Sequence, residues 1–439
     1  MLAAKSRDHS WFSPILKEEL EGLTADLIVM PRSKDEVLRV ASLCAKFRVP
    51  ITPRGAGTGN FGQAVPLAGG VVLDMSGVDR LLWHQGASMR AESGIVVGAL
   101  DDQLRQSGWE LRMHPSTKRT ATLGGFIAGG HAGIGSVTHG ILRDRGNILG
   151  LELVTIEESP RVLEIRGDAL SWVHHAYGVN GIITEVEMPL APAFPWRDVI
   201  VAFDSLGEAA RFGWALATAD GITKKLVAPI AWELARTFTR LGALVPHGKA
   251  IVIAMVAAQS MEALIALVAE AKGAVVFDAA EGGHESGPLY EYTWGHTTLQ
   301  VLRSDPTATY FISIFGGGDP LEQVELIDRK YAHEAPLHLE LKRINGRMAL
   351  EGIPVIRYTG RDQLKRLYEA FEADGVKIAN GHTYFLQNGG MKTIDDAQIA
   401  FKRATDPHGL ANPGKIAGVD EIVGADGGAA RLKASGWAY

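Results

Sequence analysis

Pro53-Arg54-Gly55-Ala56-Gly57-Thr58-Gly59-Asn60 follows the apolar segment Val49-Pro50-Ile51 and places glycine at alternate positions. Glycine tolerates positive φ and puts no Cβ between the main chain and a ligand, so successive amides in such a loop can form a concave nest for a phosphate oxygen. Arg54 would add positive charge beside it. A Gly-rich turn can also be only a turn, and spacing removes the usual phosphate-binding alternatives. A dinucleotide fingerprint needs a helix opening directly after its glycines, whereas this chain runs on through Gly62, Pro66 and Gly69-Gly70 into Val71-Val72-Leu73-Asp74. A Walker-type loop needs Gly-Lys followed by Ser or Thr, and both Gly248-Lys249-Ala250 and Gly414-Lys415-Ile416 fail.

Three further stretches extend the reading. The second comprises Pro115-Ser116-Thr117, then Thr120-Ala121-Thr122-Leu123-Gly124-Gly125-Phe126-Ile127-Ala128, Gly129-Gly130-His131 and Gly133-x-Gly135. The third is Gly178-Val179-Asn180-Gly181-Ile182-Ile183-Thr184-Glu185-Val186, and the fourth is Asp406-Pro407-His408-Gly409-Leu410-Ala411-Asn412-Pro413-Gly414-Lys415. In this order the four resemble the FAD-binding fold of the vanillyl-alcohol oxidase and p-cresol methylhydroxylase (PCMH) superfamily. Within it the chain looks most like the glycolate oxidase D subunit and FAD-linked D-2-hydroxy-acid dehydrogenases. The resemblance covers roughly the first two-fifths of the chain and the C-terminal motif, and the middle only in general pattern.

The resemblance implies an α+β, two-subdomain FAD-binding (PCMH-type) fold with an inserted antiparallel-sheet α/β cap domain. It implies that Pro53, Arg54, Gly55, Ala56, Gly57, Thr58 and Gly59, with Gln63, hold the pyrophosphate. Thr122, Leu123, Gly124, Gly125 and Ile127 would line the ring and ribitol, Ile183 would meet the adenine through its backbone, and Asn412 with Lys415 would close over the flavin. Pro115, Ser116, Thr117, Thr120 and Gly133 complete the implied cofactor set. A plain surface role for Lys415 is the bland alternative.

Composition limits the rest. A chain of 439 residues can form two or three domains around a large core. A formal charge of −6 without a Lys/Arg-rich run argues against a nucleic-acid partner. The longest apolar run, Ala250 to Ala258, falls short of the roughly 20 residues of a membrane span, and the charges within residues 1–10 do not suit a secretory signal, so the expected location is the cytoplasm. The single cysteine, Cys44, excludes an internal disulfide and shares a helical face with Val37, Val40 and Phe47, which reads as core.

The element pattern changes near residue 195, and with the resemblance this implies a FAD-binding domain over 1–194, a substrate or cap domain over 195–385, and a C-terminal segment over 386–439 that returns to the cofactor. Ser33 with Glu36 opens a helix running to Phe47. From Val199 onward a strand followed by a capped helix recurs, at Ser205/Glu208, Ser260, Asp319-Pro320 and Thr359/Asp362, predicting an antiparallel sheet with helices on one face. The Gly/Ala-rich tail after Gly424 reads as loosely ordered.

Thr58 stands where a histidine would carry a covalent flavin link, so dissociable FAD is expected, with His131 the residue that would overturn this. Metal-dependent relatives carry Gly-His-x-Gly-x-Gly-Asn-x-His. Here Asn380-Gly381-His382-Thr383-Tyr384-Phe385-Leu386-Gln387 keeps the first histidine and loses the second, so the expectation is no metal, or a weak ion at His338 and Glu340. Tyr290-Glu291-Tyr292-Thr293-Trp294-Gly295-His296 suits a pocket wall. Arg303 is then a candidate for an acid group, and His296, His382 or Tyr384 for the proton acceptor. The predicted reaction passes a hydride from an alcohol or 2-hydroxy acid to flavin N5, with reoxidation by dioxygen, a quinone or a protein acceptor. Alternatives are a phenolic alcohol or amine oxidase, or a non-catalytic partner subunit of a larger oxidase.

Overall fold

The computed structural model describes residues 1–417 and the backbone of residues 422–423 and 429–430, so most of the tail after Gly424 lies outside the described residues. The chain divides into two units, the first Met1–His131, Leu142–Pro192 and His382 onward, the second Ala132–Ile141 and Ala193–Gly381.

In the first unit, β1 (Leu27–Val29) leads to α1 (Lys34–Phe47), whose N-cap hydroxyl on Ser33 accepts from Glu36 N–H. The helix buries Val37, Ala41, Cys44 and Ala45 and ends where Arg48 turns left-handed at φ 55. β2 (Ile51–Arg54) and β3 (Val71–Asp74) complete a three-stranded parallel sheet of order β1-β3-β2, with Leu27 and Ile51 both in register with Val71. Ala411 bridges the free edge of β2 at Ile51, so the C-terminal segment pairs with the strand that feeds the glycine loop. Burial raises the Cys44 thiol to about 11. Native protein at pH 8 should therefore resist alkylation by iodoacetamide and react rapidly in urea, as mass spectrometry would read; rapid labelling without denaturant would contradict this packing.

The second half of this unit is an antiparallel sheet. β4 (Leu81–Gln85) and β5 (Ser88–Glu92) form a hairpin, α2 (Val97–Arg105) follows, and β6 (Trp109–Leu111) pairs with the far end of β9 (Ile182–Pro192). β7 (Gly150–Val154) and β8 (Val162–Ile165) give the order β4-β5-β9-β7-β8. Its inner face, with Met89, Leu151 and Val186, packs on Leu123, Phe126 and Ile127 of the short helix α3 (Leu123–Gly129). Apolar burial of this kind holds the second Gly-rich stretch in place at roughly 25 cal/mol per Å².

In the second unit, β10 (Trp196–Phe203), β11 (Lys224–Ile230), β12 (Ala250–Ala257) and β13 (Ala274–Ala280) make an antiparallel sheet of order β11-β12-β10-β13. β14 (Ala308–Tyr310) pairs with β18 (Val355–Arg357). β15 (Ile312–Phe315), β16 (Leu339–Ile344), β17 (Arg347–Gly352) and β19 (Lys377–Ala379) form another sheet of order β16-β17-β15-β19. The strands thus divide between two four-stranded antiparallel sheets and a ribbon, where the sequence pattern suggested one sheet. The Ser205/Glu208 capping box and the Asp319 cap form as expected. Two others do not. Ser260 accepts from Thr223 N–H instead, and Gly360, not Thr359, caps the helix at Arg361, because Thr359 bonds to the Gln363 side chain. Among the described residues no helix is long and apolar enough to cross a membrane.

Candidate functional site

β2 ends at Arg54, and the chain then leaves the sheet. Among the described residues, the amides of Ala56, Gly57, Thr58 and Gly59 donate no hydrogen bond. Four consecutive unused N–H groups in a partly exposed loop are what an anion nest requires. The loop is held from behind. Gly59 O accepts from His9 N–H at 2.7 Å, and Gln63 Oε1 accepts from Phe61 N–H at 2.9 Å.

Arg54 belongs to that scaffolding. Its guanidinium donates from Nη1 to Arg7 O at 2.6 Å and from Nη2 to Ala56 O at 3.2 Å, and the residue is only 7% exposed. Burial lowers its pKa, opposed by the nearby carboxylates of Asp8 and Asp74. Gly57 sits directly over it at φ +71, where a Cβ would lie 2.0 Å from Nη2. The arginine therefore shapes the loop through main-chain carbonyls.

The other stretches of the first unit converge on this loop. A Cβ on Gly55 would lie 2.0 Å from Thr122 Oγ1, so the first and second stretches touch at bare backbone. Thr122 caps α3, its hydroxyl accepting from Gly125 N–H, while Leu123 and Gly124 donate to Ile95 O and Ser93 O. These three amides are engaged within the protein, so this stretch contributes close approach rather than free donors. Ile127 is fully buried and its carbonyl accepts from His175 N–H. Pro115, Ser116, Thr117 and Thr120 form the preceding turn, with Lys118 N–H to Pro115 O at 3.0 Å and Ala121 N–H to Thr117 O at 2.8 Å.

From the third stretch, Gly178 packs on Pro53, a Cβ there lying 3.2 Å from Pro53 Cγ. Ile183 lies in β9 opposite Leu153, at a register shift. From the fourth, Asn412 Nδ2 donates to both Gln63 O at 2.8 Å and Tyr177 O at 2.6 Å. Lys415 is fully buried and donates to Gly62 O at 2.6 Å and Val65 O at 3.1 Å. It is a structural clamp on the segment after the loop, not a surface lysine. Gly133 falls in the second unit, where its N–H donates to Ser136 Oγ.

Beside Gly129-Gly130 lies a group of which sequence reasoning named only His131. His131, His174 and His175 lie in ring contact, and His175 and Tyr177 hold positive φ of 47° and 53°. Such strain persists only where the surroundings impose it. His175 Nδ1 pairs with Gly130 O at 2.9 Å, and burial lowers its pKa to about 4. Lys392 donates to Ser171 O and His174 O, each at 2.6 Å, and burial lowers its pKa to about 7. The only textual signal was the His174-His175 pair before Tyr177-Gly178.

The candidate catalytic residues separate. His382 and Tyr384 lie in the first unit. His382 is fully buried with Nδ1 2.7 Å from Ser13 Oγ, and Tyr384 packs with Leu16, Leu20, Val65 and Leu67. His296 and Arg303 belong to the second unit, at opposite ends of α4 (Gly295–Leu302), with Arg303 exposed.

Elsewhere in that unit β16 carries Glu340 and Lys342 on one face, by the two-residue period of a strand. His338 Nε2 lies 2.7 Å from Glu340 Oε1, the same oxygen accepts from Trp294 N–H at 2.6 Å, and Lys342 pairs with Glu351. Burial raises the Glu340 pKa. Among the described residues no three His, Cys, Asp or Glu side chains gather as a metal site would require, and His338 with Glu340 is a pair only.

These features define a class. Residues 25–162 match the family model for an FAD binding domain. The chain carries a flavoprotein fold of the PCMH type, and FAD is the cofactor that goes with it. More particularly, it is similar to "Glycolate oxidase subunit GlcD" of Escherichia coli (strain K12), 29% identical over 209 residues, which are 44% of this chain and 42% of that protein. It is also similar to the D-lactate dehydrogenase of Anaerostipes hadrus, 27% identical over 175 residues, 38% of this chain and 37% of that one. The match thus spans less than half the length of these relatives. Among solved structures, alkyldihydroxyacetonephosphate synthase aligns with a TM-score of 0.69 at 18% identity, over 89% of this chain and 76% of its own, a likeness of fold.

Proposed function

We propose that the protein is an FAD-dependent oxidoreductase that oxidises a small alcohol or 2-hydroxy acid. The observation that carries this is the run of four unused amides from Ala56 to Gly59, buttressed by Arg54 and set against Thr122. Bound there, FAD supplies a two-electron acceptor for the donor's C–H hydride. The chain's own part is to neutralise the pyrophosphate with main-chain N–H groups, on a loop held close to the second stretch because Gly55, Gly124 and Gly125 leave out side chains that would collide with Thr122 and Ser93. Ile183 meets the adenine in this reading, while Asn412 and Lys415 keep the C-terminal segment over the loop.

The cofactor is held without a covalent bond, since Thr58 offers no imidazole and His131 packs against His175, ring centroids 6.2 Å apart. Acid precipitation should leave the yellow colour in the supernatant; a yellow pellet would establish a covalent link. The relative named as an oxidase subunit supports a protein partner or electron acceptor for this chain as well.

The decisive test is anaerobic mixing of purified protein with D-2-hydroxy acids and neutral alcohols while following absorbance near ~450 nm, where oxidised flavin absorbs. Bleaching by one donor class is the expected result. A colourless protein that cannot be loaded with FAD would instead favour a non-catalytic scaffold.

A further inference from the structure

Three successive residues near the N-terminus grip the Gly-rich loop at its start, middle and far end. Arg7 O accepts from Arg54 Nη1 at 2.6 Å, His9 N–H donates to Gly59 O at 2.7 Å, and Asp8 Oδ2 accepts from Ala64 N–H at 3.3 Å. The four unused amides, Ala56 to Gly59, lie within the span so held. All of these residues belong to the first unit.

A loop with glycine at 55, 57 and 59 would, left to itself, sample many conformations, and an anion that had to order it would bind more weakly by that cost. The strap formed by residues 7–9 supplies the ordering when the chain folds. Asp8 anchors the strap. Its side chain is buried and its Oδ1 accepts from Ser10 N–H at 3.0 Å, which caps the single turn His9–Phe12. Phe12 of that turn is buried, and the His9 ring stacks on it with centroids 5.9 Å apart. The second carboxylate oxygen reaches Ala64, so one side chain fixes both the strap and the far end of the loop.

By charge alone Asp8 is out of place. Burial lowers the Arg54 pKa and the Asp8 carboxylate counters it, so the two charges interact, and a negative charge there opposes an anion on the loop. Asparagine would avoid this repulsion, but its single acceptor oxygen could serve only one of two amides that approach different oxygens. What the position demands is two acceptors in fixed places.

We propose that Asp8 is a positioning residue for FAD: through Ala64 and the turn that carries His9 it sets the loop whose amides take the pyrophosphate, both its own oxygens being used by the protein. This deepens the oxidoreductase reading above and rests on it for the place of the pyrophosphate.

Titration of the full-length apoprotein with FAD tests this, because position and charge predict opposite signs. Asp8→Asn removes a negative charge, which by electrostatics alone tightens FAD binding, whereas the lost acceptor should lower affinity by about 10-fold. His9→Pro removes the N–H that holds Gly59. Proline suits that place, the first residue of a turn after an extended Asp8 at φ −119 and ψ −162. Its affinity should fall about 2- to 10-fold below that of His9→Ala, which loses the ring and keeps the N–H. A role in stability alone would lower the urea midpoint of these variants and leave the FAD affinity of the folded protein unchanged. FAD binding by Asp8→Asn as tight as the parent's or tighter, or by His9→Pro equal to that of His9→Ala, overturns the proposal and leaves the oxidoreductase reading standing. Unaltered apoprotein that takes up no FAD overturns both. Should Asp8→Asn fail to fold, the comparison of His9→Pro with His9→Ala decides.

Discussion

Gly55→Ala is expected to strip the protein of its yellow cofactor while leaving it folded. The added methyl would lie 2.0 Å from Thr122 Oγ1 and 3.2 Å from Thr122 Cβ, so the loop or the start of α3 must move. Overpacking of this kind costs about 1–3 kcal/mol, and because it acts on the apposition that the cofactor uses, FAD affinity should fall by roughly 10- to 100-fold. Thr122→Ala supplies a control. By itself it removes the α3 cap at a cost of about 1 kcal/mol. In the double variant it also removes the nearest clashing atom, so Gly55→Ala with Thr122→Ala should recover part of the lost affinity. Titration of apoprotein with FAD reads both. Two losses that simply add would mean the loop and α3 are not coupled as the structure places them.

The second large effect is expected at Asn412. Its amide donates to two main-chain carbonyls from different parts of the first unit, Gln63 O at 2.8 Å and Tyr177 O at 2.6 Å, and its own N–H donates to Ile51 O. It also holds φ +38, which asparagine tolerates better than most residues. Asn412→Ala would leave both carbonyls without their donor, that of Tyr177 buried and that of Gln63 partly buried, at roughly 1–3 kcal/mol each when buried. A loss of about 2–5 kcal/mol follows, with FAD retention falling in parallel. Asn412→Asp should be no better, because a carboxylate cannot donate to either carbonyl. Urea unfolding gives the stability difference; an aspartate variant as stable as the parent would show that the amide does not act as a donor.

The Gly-rich loop, the Ser33, Ser205 and Asp319 caps and the paired strands around residues 150–165 were legible because each follows from chemistry within a few residues. The β16–β17 hairpin was equally local but overlooked. Its signal is Ile344-Asn345-Gly346-Arg347, an Asn-Gly turn with φ of 50° and 78°, the left-handed pair that favours these residue types. Arg54 was read as adding charge beside the loop, and Lys415 as closing over the flavin with Asn412. In the structure Arg54 Nη1 and Nη2 donate to the main-chain carbonyls of Arg7 and Ala56 while its Nε has no partner, and Lys415 donates to those of Gly62 and Val65, because a buried charge must find hydrogen-bond partners where it lies. No periodicity in the text could have named those partners.

The candidate bases show the same division. His382 and Tyr384 stood out through their motif and His296 through its aromatic neighbours, whereas His338 read only as half of a weak metal pair.

Four ordered motifs carried the resemblance to a flavin fold before any coordinates, and the Gly-rich loop was legible as a candidate phosphate nest because backbone freedom at glycine is decided by neighbouring residues. Which amides stay free, that Thr122 closes on Gly55 and that Asn412 ties the C-terminal segment to Gln63 and Tyr177 were decided only in three dimensions. Those contacts join residues from 67 to 349 positions apart, and burial, which sets their strength, does not exist until the chain has folded.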